Sequence, residues 1–372
     1  MTGLQRGRAA VAGGRILITG GAGFVGTNLA QHLMREGASV RILDSLSRPG
    51  SEQNAQWLAE RFPKRFEFQQ ADVRDRDAVR AAVEGVQHVF HLAAQVAVTT
   101  SLLEPCMDFD VNAQGTLNVL EAARGCARPP SIAFSSTNKV YGTLPDVALR
   151  AGEKRYVPLD GRVRARGVDE SRSLDFHSPY GCSKGAAEQY VLDYSRSFGL
   201  RTVVLRMSCI YGPHQHGNED QGWVAHFMRR ALADEPVRVY GDGRQVRDVL
   251  FVEDLVHAFE CARAHVQALS GRAFNVGGGV ENTSSILELI EEIERLTGRR
   301  MHVVYDTWRV GDQRYYVSDV TRYAHATGWR PRIGIGQGLA ALHAWLASTP
   351  AAGPPARPAR ESPPRAAAGA PT

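Results

Sequence analysis

The pair of residues best suited to proton transfer in this sequence is the tyrosine and lysine of Tyr180-Gly-Cys-Ser-Lys184. Four residues apart on a helix they stand on one face, so the ammonium is expected to lower the pKa of the phenol. A tyrosine tuned in that way takes and returns a hydroxyl proton near neutral pH. Ser178 suits the N-cap of such a helix and Pro179 its first position, which puts both residues in the first two turns. The spacing is common by itself, and its meaning depends on what lies upstream.

Upstream, the apolar strand Arg15-Ile-Leu-Ile-Thr19 runs into Gly20-Gly-Ala-Gly-Phe-Val-Gly26 and then into a helical pattern ending near Gly37. The glycines fit either Gly21-x-Gly23-x-x-Gly26 or Gly20-x-x-Gly23-x-x-Gly26, with Phe24 and Val25 opening the helix. A strand, a glycine turn and a helix N-terminus bring bare backbone N–H groups against a pyrophosphate. A second strand ends in Asp44, eighteen residues after Gly26, where a carboxylate accepts hydrogen bonds from ribose hydroxyls. That carboxylate would repel a 2′-phosphate, so NAD is expected rather than NADP; Arg48 nearby reads as a solvated loop charge.

Further strands are expected at 66–72, 88–94, 131–136 and 201–206, with helices over about 108–125 and 179–198. Asp72 and Val73 fall where the third strand would meet an adenine edge. Apolar strands alternating with helices imply an α/β fold, a doubly wound parallel sheet with ligands beyond the carboxyl ends of its strands. The expected division is a dinucleotide-binding domain over 15–208, with later strands near 245–278 returning to it. A smaller substrate lobe follows over 209–349, between an N-terminal stretch 1–14 and a Pro/Ala/Arg tail 350–372 that are expected to be disordered.

The 372 residues carry a net charge of +5, most of it at the two ends, and no cluster of basic and aromatic residues suggests nucleic acid. No window is long and apolar enough for a membrane span or a signal peptide. The five cysteines are scattered and form no Cys-x-x-Cys pair, which points to a reduced, cytoplasmic protein. His214-x-His216 lacks a third ligand, so no metal is expected.

Taken as a set, TGGAGFVG at 19–26, Asp44, HLAAQ at 91–95, SSTNKVYG at 135–142, YGCSK at 180–184, GDGRQVRDVLFVED at 241–254 and TGWRP at 327–331 carry a specific pattern. The chain resembles the extended short-chain dehydrogenase/reductase family of nucleotide-sugar enzymes. The resemblance implies that Thr137 bonds a sugar hydroxyl, Tyr180 is the acid/base, and Lys184 holds the nicotinamide ribose. It also implies that Leu92, Ala93 and Ala94 line the cofactor and that the chain forms a homodimer or a dimer of dimers through helices 108–125 and 179–198. Dehydratases of the family carry a carboxylic residue after the Ser/Thr, whereas Asn138 and Lys139 stand here. Oxidation and re-reduction of the sugar therefore fit better than elimination.

The phrases TTSLLEPCMDF, FSSTNKVYG, DFHSPYGCSKG and DQGWV resemble the family's 2-epimerases, which implies a CDP-linked 3,6-dideoxyhexose or a related CDP- or GDP-hexose. The motif chemistry itself leaves open a 4-epimerase, a net reductase or a non-catalytic NAD sensor. Candidate substrate contacts are Asn138, Tyr211, Gln221, Arg247 and Arg314, the two arginines for the diphosphate. Trp223 reads equally as pocket or core. The insertion 144–174 reads either as a cover for the site or as a surface loop, and His214 stands where relatives often carry arginine.

Overall fold

The computed structural model describes residues 14–309 and 311–348. The expected disordered termini lie almost wholly outside these residues. Seven strands build the central sheet: β1 Arg15–Thr19, β2 Ser39–Asp44, β3 Phe66–Gln70, β4 His88–His91, β5 Ser131–Thr137, β6 Thr202–Met207 and β7 Arg272–Val276. Their order is β7-β6-β5-β4-β1-β2-β3 and every pairing is parallel. Strands such as β4 and β5 are buried along their whole length, which is why their apolar runs show no alternation.

Two cores cover the two faces of this sheet. One gathers Leu29, Leu33, Phe90, Phe259 and Phe274, the other Val119, Phe134, Ala187 and Val191. Of the strands anticipated near 245–278, only β7 joins the central sheet. Val246–Phe251 instead pairs with Cys209–Tyr211, Thr283–Ser285 and Tyr315–Tyr316. Helices Trp223–Leu232, Ile286–Thr297 and Ile335–Ser348 pack beside that smaller sheet around a third core. The capping box of Ser285 and Glu288 opens the second of these helices, although Leu296 ends on its exposed side.

Residues 105–124 do not form one regular helix. Pro105–Phe109 and Gly115–Arg124 are α-helical, and Asp110–Gln114 between them is a π-helical turn. The insertion forms a hairpin, Leu149–Ala151 with Tyr156–Pro158, and a short helix Gly161–Arg166. It is fastened to the smaller lobe, because Arg155 pairs with Glu288 and bonds Thr283.

Helix Ser178–Phe198 lies against β5 and β6 and is pinned there by a buried ion pair. Glu188 accepts from Arg206 of β6 at 3.0 Å and from Ser136 of β5 at 2.6 Å. Arg206 also donates to the Tyr141 hydroxyl at 2.8 Å, which in turn donates to Asn275 of β7. Removing one member leaves the other charge buried and unpaired. Glu188→Ala is expected to cost about 3–5 kcal/mol, read as a lower midpoint of chemical denaturation. A midpoint equal to that of the unsubstituted protein would show that the pair contributes nothing.

Candidate functional site

The glycine turn between β1 and helix Phe24–Arg35 leaves no room for side chains. Gly20 has φ +70°, and a Cβ there would lie 2.7 Å from the Ala93 nitrogen; at Gly26 it would lie 2.4 Å from the Gly20 oxygen. Gly23 precedes the helix, which has neither a capping side chain nor an acid in its first turn. Its orphan N–H groups therefore remain for an anion. Asp44, at the end of β2, accepts from the backbone of Ala22 and Leu46, each at 2.9 Å. Burial raises the pKa of this carboxyl, and those two N–H groups lower it. A bare turn, an uncapped helix and a carboxylate at the next strand end fit a dinucleotide.

The remaining cofactor candidates surround this turn in different ways. Val25 and Leu92 pack against the first core, and the backbone of Ala93 touches Gly20. Ala94 follows β4 and is half-buried. Val73 is buried beside Gly115, with its carbonyl held by Asn118 at 2.9 Å. Asp72 forks onto Arg74 at 3.0 and 2.8 Å, which holds its carboxyl below the usual range.

Thr137, Tyr180 and Lys184 converge where β5 ends against helix Ser178–Phe198, and all three are at least 90% buried. Ser178 takes a left-handed φ of +64°, and its hydroxyl accepts from Gly181 N–H at 3.3 Å, so it caps from just inside the helix. Lys184 sits over the Phe134 ring at 4.2 Å. The expected effect of Lys184 on Tyr180 is corrected by these surroundings. Burial pushes the phenol up to about 12, the Thr137 hydroxyl lowers it by hydrogen bonding, and the charges acting on it are Asp108 and Arg48. Burial draws Lys184 down to about 7, against the charges of Glu188 and Asp108.

On the substrate side, Asn138 lies next to Thr137, whose hydroxyl donates to its side-chain oxygen at 3.4 Å. Arg247 is buried and donates to Asp312 at 2.6 Å, and Lys139 approaches the same carboxylate at 3.6 Å. Arg314 is exposed, between Trp308 and Tyr156, at the edge of a pocket of about 400 Å³ walled by Leu144, Val147 and Leu149 of the insertion. Gln221 is half-buried and accepts from Arg48. Arg48 is exposed, as a loop charge would be, and also reaches Gln221 across the site. Tyr211 is corrected too: it is buried in the third core, edge-on to Phe251, with its hydroxyl on the Ile335 carbonyl at 3.3 Å. That aromatic belongs to packing. Trp223 packs partly against the same core.

His214 is neutral, its pKa lowered to about 4 by burial, and it packs between Trp57 and Trp345. Among the described residues no group of three His, Cys, Asp or Glu side chains is placed to hold a metal, and no helix is long and apolar enough to cross a membrane. Sequence reasoning missed the buried Asp108 and Asn112. Their i, i+4 spacing was a weak signal, and the π turn that carries Asn112 has no mark in the hydrophobic pattern.

The tight glycine turn gives a direct test. Gly26→Ala is expected to yield folded protein that has lost its bound dinucleotide, measured from the absorbance of a heat-released extract. Retention of a full complement would show that the turn does not hold the cofactor.

The model of the NAD dependent epimerase/dehydratase family matches residues 16–277. CDP-paratose 2-epimerase of Salmonella typhi is 42% identical over 341 residues, covering 90% of this chain and 99% of that protein. UDP-glucose 4-epimerase of Mycolicibacterium smegmatis is 35% identical over 327 residues, covering 88% and 96%. The crystal structure of Thermus thermophilus UDP-glucose 4-epimerase in complex with NAD superposes with a TM-score of 0.74 at 32% identity, covering 90% and 99%. NAD is the cofactor, and the glycine turn and Asp44 described above suit it. A match over most of the length, on a parallel sheet with a buried Tyr-x-x-x-Lys pair, makes the chain a member of the NAD dependent epimerase/dehydratase family.

Proposed function

We propose that this protein is a nucleotide-sugar 2-epimerase that converts CDP-paratose to CDP-tyvelose. The observation that carries the reading is the buried grouping of Thr137, Tyr180 and Lys184 with Asn138, not a carboxylic acid, beside it. The likeness to CDP-paratose 2-epimerase of Salmonella typhi supports C2 as the reacting carbon.

When bound, NAD supplies the hydride acceptor and then the donor. Tyr180 takes the proton of the sugar hydroxyl as its carbon is oxidised and returns it when the other face is reduced. Thr137 fixes that hydroxyl beside the phenol. Lys184 holds the nicotinamide ribose and supplies a positive charge near the reacting centre. Elimination would require a further carboxylic acid at the sugar, and the side chains that follow Thr137 are an amide and an ammonium. Gln221, Arg247 and Arg314 contact the nucleotide, with both arginines directed to its diphosphate.

The protein works as a homodimer. Phe109 is 53% exposed and Tyr190 46%, on the two segments where pairing is expected. The reading divides the chain into a dinucleotide-binding domain, to which β7 is assigned, and a substrate lobe. Five free cysteines suit the cytoplasm.

Proton NMR of CDP-paratose with the purified protein and no added nicotinamide is expected to show the tyvelose anomer at constant total sugar nucleotide. Tyr180→Phe should lower that rate by about 10²–10⁴-fold. Net consumption of NADH, or undiminished turnover by Tyr180→Phe, would overturn the proposal. In sedimentation the mass should be that of two chains at micromolar concentration, falling to one in Phe109→Asp/Tyr190→Asp; a single-chain mass before substitution refutes the dimer.

A further inference from the structure

Asp108 is a fully buried carboxylate close to the reacting pair, and it takes no part in the chemistry described above. It accepts from the Ser183 hydroxyl at 2.5 Å, from the Gln95 amide at 3.0 Å and from the Asn112 amide at 3.2 Å. Neighbouring bonds fix both amide orientations. Asn112 exchanges two bonds with the Gln95 backbone, giving to its carbonyl at 3.0 Å and taking from its N–H at 2.9 Å. Gln95 in turn accepts from Ala97 N–H through its side-chain oxygen at 2.5 Å. Both NH₂ groups must then face one oxygen of Asp108, while the Ser183 hydroxyl meets the other and also lies 3.2 Å from the Tyr180 carbonyl, an arrangement that favours the ionised carboxylate.

The three donors come from three segments of the site. Gln95 follows the stretch 92–94 beside the glycine turn, Asn112 belongs to the π-helical turn, and Ser183 lies between Tyr180 and Lys184 on their helix. Asn112 also donates to Ser183 at 3.0 Å, which closes the cluster. Charged and titratable groups around Lys184 are few. Glu188 on the same helix favours the Lys184 charge but is itself paired with Arg206, His91 of β4 is neutral between Thr19 and Thr116, and Phe134 offers only its ring. Arg48 and Thr137 act on Tyr180. Asp108 is the one buried anion in this group without a cationic hydrogen-bond partner among the described residues.

We propose that Asp108 is a positioning residue: through Ser183 it fixes the turn that carries Tyr180 and Lys184, and its charge keeps Lys184 an ammonium in a water-poor site. Burial works against that charge, and an anion nearby favours it. The inference rests on the Tyr180–Lys184 reading, not on the identity of the sugar.

The sequence contains four lysines, at 64, 139, 154 and 184, so Lys184 can be followed in NAD-containing protein labelled at lysine Cε. Its resonance is assigned by its absence in Lys184→Met. Without the Asp108 charge the ammonium is less favoured, so the Lys184 titration in Asp108→Asn is expected about one unit lower in pH. The alkaline limb of kcat should follow it while KM stays unchanged. Asp108→Ser, smaller and bringing no NH₂ against the amides, serves should the Asn variant not fold. Ser183→Ala cuts the tether but keeps the charge, and should lower kcat about tenfold with the Lys184 titration in place. A titration in either neutral variant that coincides with that of the unsubstituted protein overturns the electrostatic role, and an unchanged kcat in Ser183→Ala overturns the tether. Both the resonance and the bound NAD are read without substrate, so a wrong sugar would leave this test intact.

Discussion

The buried pair Glu188–Arg206 is the contact on which the geometry of the site depends. It joins helix Ser178–Phe198 to β6, and through Ser136, Tyr141 and Asn275 it reaches β5, the turn after Thr137 and β7. Thr137 comes from the sheet and Tyr180 from the helix, so their approach is only as fixed as that joint. A polar joint is costly to bury, and its directionality sets both register and rotation of the helix, which apolar packing alone specifies less sharply.

The same helix is held from its other side by Asp108 and Ser183. Between these two anchors the phenol and the ammonium are withdrawn from water, and burial moves both toward their neutral forms. Each then responds strongly to the few charges left near it. Local anions and hydroxyls, rather than the bulk charge of +5, therefore set the proton chemistry.

The two lobes meet over the cofactor turn. Asn28 donates to the Pro213 carbonyl at 2.8 Å and Asn54 to the carbonyls of Ala22 and His214, while Arg48 reaches Gln221. His214 packs between two tryptophans and adds no charge. Opposite this seam, the insertion braces the smaller lobe and walls a pocket beside Arg314. Thr137 thus comes from the regular sheet and Tyr180 and Lys184 from the helix packed on it, whereas irregular segments line the pocket beside Arg314.

Sequence by itself determined the elements whose signals are local. The apolar strands, the glycine turn with Asp44, the capping box at Ser285 and the Tyr-x-x-x-Lys spacing each follow from propensity, sterics or periodicity over a few residues. Only the tertiary structure decided what those residues meet. Tyr211 could be placed in the core only once Phe251 and Ile335 were seen around it, and the contact of Arg48 with Gln221 appeared only in the fold. The charges that favour the Lys184 ammonium come from Glu188 and Asp108. Burial and charge neighbours are sums over segments far apart in the chain, such as 108 and 183 or 188 and 206, and no local pattern encodes those sums.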